Sequence, residues 1–573
     1  MPQAIELALK TIMQKKQAIV FVSSRASAQK CALEIAKKLK TSNIILKERI
    51  LEVSPTPTKQ CKKLSLCLSK SIAFHHAGLL QKQKEIIENE FREGKIKVIC
   101  ATPTLAAGLS LPVFRVILRS LKRFSGQWGM NYIPVLEYLQ MAGRAGRPEY
   151  EKFGEAISIA KDDSQKQEIH EKYVCGKPEE IYSKLAVEPV LRTYLLSLIS
   201  SGIIKNHQTM LEFFSKTFWA HQFKDIPKLT SKLNEMLEKL VEWDFIHIID
   251  NLNTNNEKPN NNTNNQNEPK ETINHKTTTT KSQTNKITSK FSDFVSAINI
   301  TKKQKKTKSN NSNNNNNQNE NKIFKATSMG KRVSGLYLDP LTANHLIDCL
   351  KNYQSQNNNQ DIDSQTNNFQ LLQMISNTLE IRPQLKVKTN DHELVQDAIL
   401  KHHNTLLQKE PSQYDLEYHQ FLNSIKTTLF FQDWICENTQ DFLFEKFKIA
   451  PGEISVKLSI ADWLFYACEE ISFILKQKNT IKDIRKLRIR IKNGVKEELL
   501  ELLKLTGVGR IRARKLYKNG IKNISDLKKT NQTAIGQIIG NKLAQDVKKQ
   551  LGQEIIEIKP TKRKGQMSLN KFT

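Results

Sequence analysis

The stretch KIKVICATPTLAAGLSLPVFRVILRS, residues 95–120, contains two short runs of β-branched and apolar residues separated by a turn of small residues. Similar runs occur earlier in QAIVFVSS (17–24) and later in GEAISIA (154–160). Helical patterns lie between them, as in ASAQKCALEIAKKLK (26–40). This alternation predicts a parallel sheet covered by helices, an α/β domain over residues 1–165. We expect its ligands at the carboxyl ends of the strands.

The chain has 573 residues, too many for one hydrophobic core, so we expect several domains. It carries 89 Lys and Arg against 58 Asp and Glu, a formal net charge of +31. This excess favours a polyanionic partner, nucleic acid before an anionic membrane, although a lysine-rich host proteome would give the same composition. No apolar run approaches the ~20 residues of a membrane span. The eight cysteines are scattered without zinc-site spacing, which indicates reduced intracellular thiols and no metal.

Beyond the first domain the pattern is mainly helical. Residues 166–250 and 340–500 carry apolar residues at helical spacing. Between them, 251–322 is dominated by Asn, Gln, Thr and Lys, so we predict that this segment is disordered. Residues 500–550 form a compact last unit, and the tail 551–573 is expected to be flexible. The fold class predicted is therefore multidomain, α/β followed by α.

Two arginines three residues apart, Arg144 and Arg147, lie among small residues in QMAGRAGRPEY (140–150). Such a segment suits a turn that directs both guanidiniums at phosphates, because arginine has a permanent charge and a rigid fork of donors. In nucleotide-driven motors, residues of this kind stabilise the charge that develops on the γ-phosphate. Salt bridges on the protein surface are the alternative.

Three segments, FHHAGL (74–79), ATPTLAAG (101–108) and QMAGRAGR (140–147), together resemble the motifs of superfamily 2 helicases of the Ski-like branch. The most similar group is the archaeal fork-repair helicases related to eukaryotic HelQ. This resemblance implies a RecA-like domain that uses ATP and Mg²⁺. It further implies 3′ to 5′ translocation on single-stranded and forked DNA during repair, in a cytoplasmic, nucleoid-associated protein.

The resemblance also implies roles for single residues of the sheet domain. Arg25, after the first strand, would meet nucleic acid, and Thr102 and Thr104 would contact phosphates of the tracking strand. Ser110 stands where the family usually has Asn, which would weaken the coupling between ATP and DNA. The residues implied to act in catalysis, by facing ATP across a domain cleft, are Gln140, Arg144 and Arg147.

A hairpin is predicted in RSLKRFSGQWGMNYIPV (119–135), whose ends are strand-like and whose middle has turn residues. It resembles the strand-separating hairpin of the family. Phe124, Trp128 and Tyr132 would then stack on a base at the fork junction, each contributing ~1–3 kcal/mol. The alternative is an ordinary hairpin that packs its aromatic residues inward.

The resemblance also gives the domain order after residue 165. Residues 166–340 resemble the winged-helix domain of the family, with the Asn-rich stretch 251–322 as an insertion in the wing. Residues 341–499 resemble its helical bundle, and 500–550 are predicted to form a helix-hairpin-helix domain.

The strong helical pattern SIADWLFYACEEISFILK (459–476) resembles the long ratchet helix of that bundle, which crosses the DNA channel. Trp463 matches a tryptophan that stacks on a base, although it would equally suit the bundle core. Val456 stands where the family has a phosphate-binding arginine, with Lys457 beside it.

In LLKLTGVGRIRARKLYKNGI (502–521), two glycines permit a tight turn that presents backbone amides to a phosphate at a helix N-terminus. This pattern indicates sequence-independent DNA contact, with a protein-interaction hairpin as the alternative. In the family the equivalent arginine pair grips or brakes the emerging strand. The residues expected to bind DNA here are Gly507, Gly509, Arg510, Arg512 and Arg514.

The last residues, Gln566, Leu569 and Phe572, have the QxxLxxF spacing of a peptide that binds the sliding clamp (PCNA). Clamp peptides usually have a second aromatic residue next, where this chain has Thr573.

No GxxxxGK[ST] phosphate loop and no DExH-like box occur in the sequence. We therefore expect the first RecA-like domain to be absent from this chain, and three explanations are open: the helicase is split over two polypeptides, the gene is broken or mispredicted, or the chain is a surviving DNA-binding remnant. The alternative function is that of a non-catalytic DNA-binding adaptor. An RNA helicase of the same branch is a weaker alternative.

Overall fold

The protein is described from a computed structural model, which divides into two compact units, Met1–Thr193 with Arg332–Thr573, and Tyr194–Lys331. The described residues are 2–53, 57–108, 111–124, 130–146, 153–250, 322–359 and 363–553.

The first unit contains a five-stranded, all-parallel sheet in the order β2-β3-β1-β4-β7. The residues of β1, β2, β3 and β4 are buried, as expected where helices cover a sheet. Those of β7, at one edge of the sheet, are half-exposed. The strands are β1 Ala18–Phe21, β2 Ile72–His75, β3 Val98–Ala101, β4 Arg115–Leu118, β5 Lys122–Phe124, β6 Met130–Tyr132 and β7 Glu155–Ser158.

Four of the five sheet strands were predicted from their β-branched runs. β2 was not, because its segment IAFH has one β-branched residue and ends in histidine. The helices of this part are α1 Pro2–Met13, α2 Arg25–Lys37, α3 Ile44–Glu52, α4 Lys59–Leu68, α5 Gln81–Arg92, α6 Thr104–Gly108, α7 Val135–Ala142 and α8 Asp163–Ile169.

The hairpin predicted between 119 and 135 is present. β5 and β6 pair antiparallel, with Lys122 opposite Tyr132 and Phe124 opposite Met130.

The chain continues with helices and one further pair of strands. β8 (Ile246–Asp250) and β9 (Lys322–Ala326) pair antiparallel across the Asn-rich segment, with Ile246 opposite Ala326 and Asp250 opposite Lys322. The helices here are α9 Glu188–Ser200, α10 His207–Ser215, α11 Phe218–Phe223, α12 Ile226–Glu242 and α13 Ser328–Gly335.

The remainder of the first unit is helical. Its longest helix, α19, begins at Pro451, the first-turn position where proline fits without loss of a hydrogen bond. These helices are α14 Pro340–Asn359, α15 Ser364–Ser376, α16 His392–His402, α17 Tyr418–Ile435, α18 Gln440–Phe447, α19 Pro451–Ile474 and α20 Lys478–Asn493.

Four short helices close the chain around a small core of their own that includes Val508, Leu516, Ile535 and Val547. They are α21 Arg510–Lys518, α22 Ile524–Lys529, α23 Gln532–Ile539 and α24 Asn541–Gln550. The predicted class, an α/β parallel-sheet domain followed by α-helical domains and a helix-hairpin-helix, is confirmed.

Candidate nucleic-acid interface

The carboxyl edge of the sheet brings together residues that the sequence analysis assigned to nucleic acid. Thr102 directly follows β3, and its hydroxyl oxygen lies 2.9 Å from that of Thr104, the first residue of α6. Thr102 is buried and Thr104 is exposed. Because one of these hydroxyls donates to the other, one O–H remains at the end of the strand as a donor for a phosphate oxygen.

Arg25 lies on the same edge, one strand away. It starts α2, because the Ser24 side chain accepts a hydrogen bond from the backbone N–H of Ser27 and caps the helix. The Arg25 guanidinium donates to Glu453 Oε1 at 2.6 Å, and this hydrogen bond raises the pKa of Arg25. The arginine predicted to meet nucleic acid is therefore ion-paired with the first turn of α19.

The start of α19 packs against the loop that follows β2. The backbone N–H of Gly452 donates to the Gly78 carbonyl at 3.0 Å. A Cβ on Gly452 would lie 2.4 Å from the Leu79 carbonyl oxygen and 2.5 Å from that of Ala77. Only glycine fits this approach, so the FHHAGL segment and α19 meet through their backbones.

The two histidines of FHHAGL are buried and face protein groups. His75 Nε2 lies 3.2 Å from Glu88 Oε1, and His76 Nδ1 accepts the backbone N–H of Gly78 at 3.1 Å. Burial lowers the pKa of His76 to about 4, with a further contribution from the positive charge of Arg25. His76 is thus a neutral acceptor that shapes the loop on which α19 docks.

The residues implied to face ATP lie on α7 and directly after it. Gln140 is exposed on that helix, and Arg144 is half-buried after its end. Arg144 donates through Nη2 to the carbonyl of Ala106 in the small-residue turn, while its Nε is buried without a partner among the described residues. An orphaned guanidinium N–H beside that turn fits a phosphate ligand, so these residues fit one half of an ATP site. Arg147 lies outside the described residues.

Of the hairpin aromatic residues, the structure gives surroundings for Tyr132. Its phenol donates to Glu168 at 2.5 Å, and its ring centroid is 4.2 Å from the ammonium of Lys122 and 4.7 Å from that of Lys172. Tyr132 therefore stands at the foot of the hairpin among cations. Phe124 belongs to β5, and Trp128 falls outside the described residues.

Trp463 lies on α19 and is partly buried. Its indole N–H donates to the Leu336 carbonyl at 3.3 Å. Val456, on the same helix, is 58% exposed, whereas Lys457 is buried and donates to the carbonyls of Ile381 and Pro383 at 3.2 and 2.7 Å. Burial lowers the pKa of Lys457. Lys457 therefore does not substitute for the phosphate-binding arginine of the family.

The glycine turn of the helix-hairpin-helix has the expected backbone. Gly507 has φ +84°, and a Cβ there would lie 2.6 Å from Leu543 Cδ1. Gly509 precedes α21 as its N-cap and offers no side-chain acceptor, while the space around its Cα is open. The backbone N–H groups in the first turn of α21 therefore have no side-chain cap and can donate to an anion.

The three arginines of α21 differ in their partners. Arg510 donates to the Asn438 carbonyl at 2.8 Å, and its guanidinium lies 5.1 Å from the Trp434 ring centroid. Arg514 pairs with Glu437 and Glu498, each at 2.6 Å, and the hydrogen bond that it donates to Glu437 raises the pKa of Arg514. Arg512 is exposed and donates to the Gly507 carbonyl at 2.9 Å.

Glu453 and Glu437 are the functional-site neighbours that sequence reasoning missed. Each is distant in sequence from the arginine it binds, and no local pattern marks it. The clamp-like residues Gln566, Leu569 and Phe572, the departure at Ser110 and nearly all of the Asn-rich stretch lie outside the described residues.

Within the described ranges, no group of three or more His, Cys, Asp or Glu side chains is placed to bind a metal ion. No helix of the same ranges combines the length and apolar character that crossing a bilayer demands.

Four family descriptions match the chain. "Helicase conserved C-terminal domain" matches residues 3–149, and "Helix-turn-helix domain" matches 154–247. "Archaeal helicase, domain 4" matches 369–494, and "SAM-like Helix-hairpin-helix tandem" matches 499–553.

Among curated proteins the chain is similar to several named "ATP-dependent DNA helicase Hel308". The protein of Methanococcus vannielii is 32% identical over 563 residues, covering 96% of this chain and 68% of the relative. That of Methanocella arvoryzae is 33% identical, covering 96% and 65%, and that of Pyrococcus horikoshii is 30% identical, covering 97% and 67%. The chain spans about two thirds of the length of these relatives.

Proposed function

The chain belongs to the Hel308 family of DNA helicases, and from this premise we propose that it is the strand-tracking and DNA-gripping part of an ATP-driven helicase. It would move 3′ to 5′ on single-stranded DNA and open forks during repair. The carboxyl edge of the sheet is the observation that supports this proposal best. There Thr102 and Thr104 follow β3, and Arg25 follows the neighbouring strand β1, which supports contacts with the phosphates of a tracked strand.

ATP and Mg²⁺ would be held only in part by this chain. Arg144 has a buried guanidinium N–H without a partner among the described residues, and it would contact the phosphates from one side together with Gln140. Arg147 would contact the same phosphates. Bound ATP would supply the free energy of translocation through hydrolysis of its γ-phosphate. These 573 residues contain no phosphate loop to complete such a site, so we propose that a P-loop RecA-like domain outside them supplies it, whether on the same or on a separate polypeptide.

The experiment that tests this function compares forked DNA with a 3′ or a 5′ single-stranded arm. The chain is assayed alone and after reconstitution with a polypeptide that carries the P-loop RecA-like domain. We expect ATP-dependent unwinding of the fork with the 3′ arm by the reconstituted pair, with Arg144→Gln as an inactive variant. A chain that binds DNA but supports no unwinding together with that polypeptide would instead be the non-catalytic adaptor. Competition between DNA and RNA of one sequence tests the RNA alternative.

Trp463 gives a separate test of the strand path. We propose that its ring, anchored through the indole N–H, stacks on a base of the tracked strand. Single-stranded DNA should then quench tryptophan fluorescence, and most of the quenching should disappear in Trp463→Phe. Equal quenching in the two proteins would assign Trp463 to the bundle core.

We also propose that residues 166–340 form a winged-helix domain with the Asn-rich stretch inserted in its wing. The support is the antiparallel pairing of β8 with β9 on either side of that stretch. Deletion of 252–320 should leave folding nearly intact, and insoluble or non-cooperative folding would contradict it.

At the C-terminus, a peptide of residues 560–573 should bind the host sliding clamp in a titration, through Gln566, Leu569 and Phe572. Lack of binding at high micromolar concentration would remove the clamp as a partner.

A further inference from the structure

A cavity of about 490 Å³ lies at the carboxyl ends of β4 and β7, against the foot of the β5–β6 hairpin. The backbone ladder continues to its rim, because Arg119 N–H donates to the Phe21 carbonyl and Ile159 N–H to the Leu118 carbonyl, each at 3.0 Å. The cavity is therefore part of the same sheet edge as Arg25 and Thr102, displaced toward β7.

The walls of the cavity are cationic on one side. Arg119, Lys122 and Lys161 line it, and no Asp or Glu is among the described residues that do. Glu6 and Glu168, which lie nearby, already have partners, since Glu6 pairs with Lys10 at 2.9 Å and Glu168 accepts the Tyr132 phenol. Asp162 and Asp163 directly follow Lys161 in the chain, yet among the described residues no ion pair joins any of the three lining cations to a carboxylate.

The other walls are apolar or aromatic. Tyr132, Met130 and Ile159 line them, and Gln165, whose Oε1 accepts the Lys161 backbone N–H at 2.9 Å, keeps its amide N–H₂ group as a donor. A cavity with cations on one side and an aromatic, apolar surface on the other fits a nucleotide, with its phosphate at the cations and its base on the ring.

The strand order places this cavity in line with the contacts already described. Thr102, Arg25, Arg119 and Lys161 follow β3, β1, β4 and β7, which are consecutive neighbours in the sheet. At ~4.8 Å between strands the row spans roughly 14 Å, about the length of four stacked nucleotides at ~3.4 Å each.

From this geometry we propose that the cavity binds a nucleotide of single-stranded DNA at the foot of the hairpin, with Arg119 and Lys161 on its phosphodiester. The proposal rests on the proposed DNA-helicase function. It extends the path of the tracked strand across the whole carboxyl edge of the sheet, and it gives Tyr132 a base to contact from within the cavity.

The test measures binding of a fluorescein-labelled oligo-dT to the full chain as a function of salt. The double variant Arg119→Gln/Lys161→Gln should bind about tenfold more weakly. The slope of log affinity against log salt should fall by about 0.7, the change expected when one phosphate contact on a single strand is lost. The matched control is Lys37→Gln/Lys40→Gln, which removes equal charge from exposed lysines at the far end of α2.

Equal slopes for the two double variants would overturn the proposal, and so would a loss seen equally on blunt duplex DNA, which would assign the cavity to the duplex backbone. Lys161→Gln alone, at an exposed position, should lower the slope by about half as much without affecting the core. Wild-type protein that binds no DNA would overturn the proposed function as well, which separates the two failures.

Discussion

The carboxyl edge of the sheet and the glycine turn of the helix-hairpin-helix are both predicted to hold phosphates, yet their arginines are engaged differently. Arg25 pairs with one carboxylate, Glu453, and its side chain is 44% exposed. Arg514 pairs with two, Glu437 and Glu498, and is 22% exposed. A phosphate can replace one hydrated carboxylate at little cost, whereas displacing two would leave half-buried charges unpaired. The number and exposure of the carboxylates therefore distinguish an exchangeable arginine from a structural one.

The largest expected effect comes from breaking the junction that holds Glu453 at Arg25. In Gly452→Ala the new Cβ would meet the carbonyl oxygens of Leu79 and Ala77, which are backbone atoms and cannot swing aside. We expect the free energy of local opening at this junction to fall by about 3 kcal/mol. Hydrogen exchange of the peptides around 76–79 and 450–454 measures it.

The matched control is Gly335→Ala, where a Cβ would have no atom within 4 Å. If the backbone amides around 76–79 and 450–454 exchange as slowly in Gly452→Ala as in the wild type, α19 does not dock on the loop as described.

The second prediction separates two arginines of one helix. Arg514→Gln leaves Glu437 and Glu498 unpaired, so we expect the C-terminal helices to lose about 2 kcal/mol of stability. Arg512→Gln should leave the thermal transition unchanged and weaken DNA binding instead, because the Arg512 side chain is exposed. Differential scanning calorimetry and DNA titration of both variants test this. A lower thermal transition in Arg512→Gln would show that Arg512, too, stabilises the C-terminal helices and is not free for DNA.

The third prediction concerns pH and the loop that supports the sheet edge. His76 has a folded pKa of about 4 because of burial, below the ordinary value of 6.5, so folding favours its neutral form. The contribution of His76 to the free energy of unfolding is complete above pH 6.5 and is lost as the pH falls toward 4. Between pH 7 and pH 5 the free energy of unfolding should decrease by about 2 kcal/mol. Urea unfolding of the sheet domain at both pH values should show this decrease.

His76→Asn serves as the control, since its amide oxygen can accept the Gly78 N–H without titrating. The variant should lose less stability on acidification than the wild type. An identical pH dependence would place the titration elsewhere.

The smallest effect tests exchange at Arg25 directly. Glu453→Gln removes the carboxylate that competes with a phosphate, and we expect single-stranded DNA to bind about fivefold more tightly at low salt. Glu445→Gln, which removes an equal charge from the exposed pair with Lys59, gives the general effect of charge. If the two changes raise the affinity for DNA equally, a phosphate does not displace Glu453 from Arg25, and the Arg25–Glu453 pair is structural like that of Arg514.

The sequence was sufficient for elements with a strong local pattern. Strands β1, β3, β4 and β7 follow from β-branched runs, and the hairpin follows from turn residues between strand-like ends. The glycine turn at Gly507 followed from its spacing, because positive φ is a local demand.

Long-range partners could not be read from the sequence. Arg25 and Glu453 are 428 positions apart, and nothing in either neighbourhood indicates the other. Lys457, the cation beside Val456, is buried and donates to two backbone carbonyls, which no local pattern indicates. The chemistry of these side chains is set by elements that only the tertiary fold brings together.

The pairing of β8 with β9 has a practical consequence. Asp250 and Lys322 are ladder partners, so their Cα atoms lie roughly 5 Å apart although the chain between them is long. Closing such a loop depends only weakly on its length, each doubling costing about 0.6 kcal/mol. A fluorescent protein or a tether for single-molecule work could therefore replace residues 252–320 and be attached at both ends.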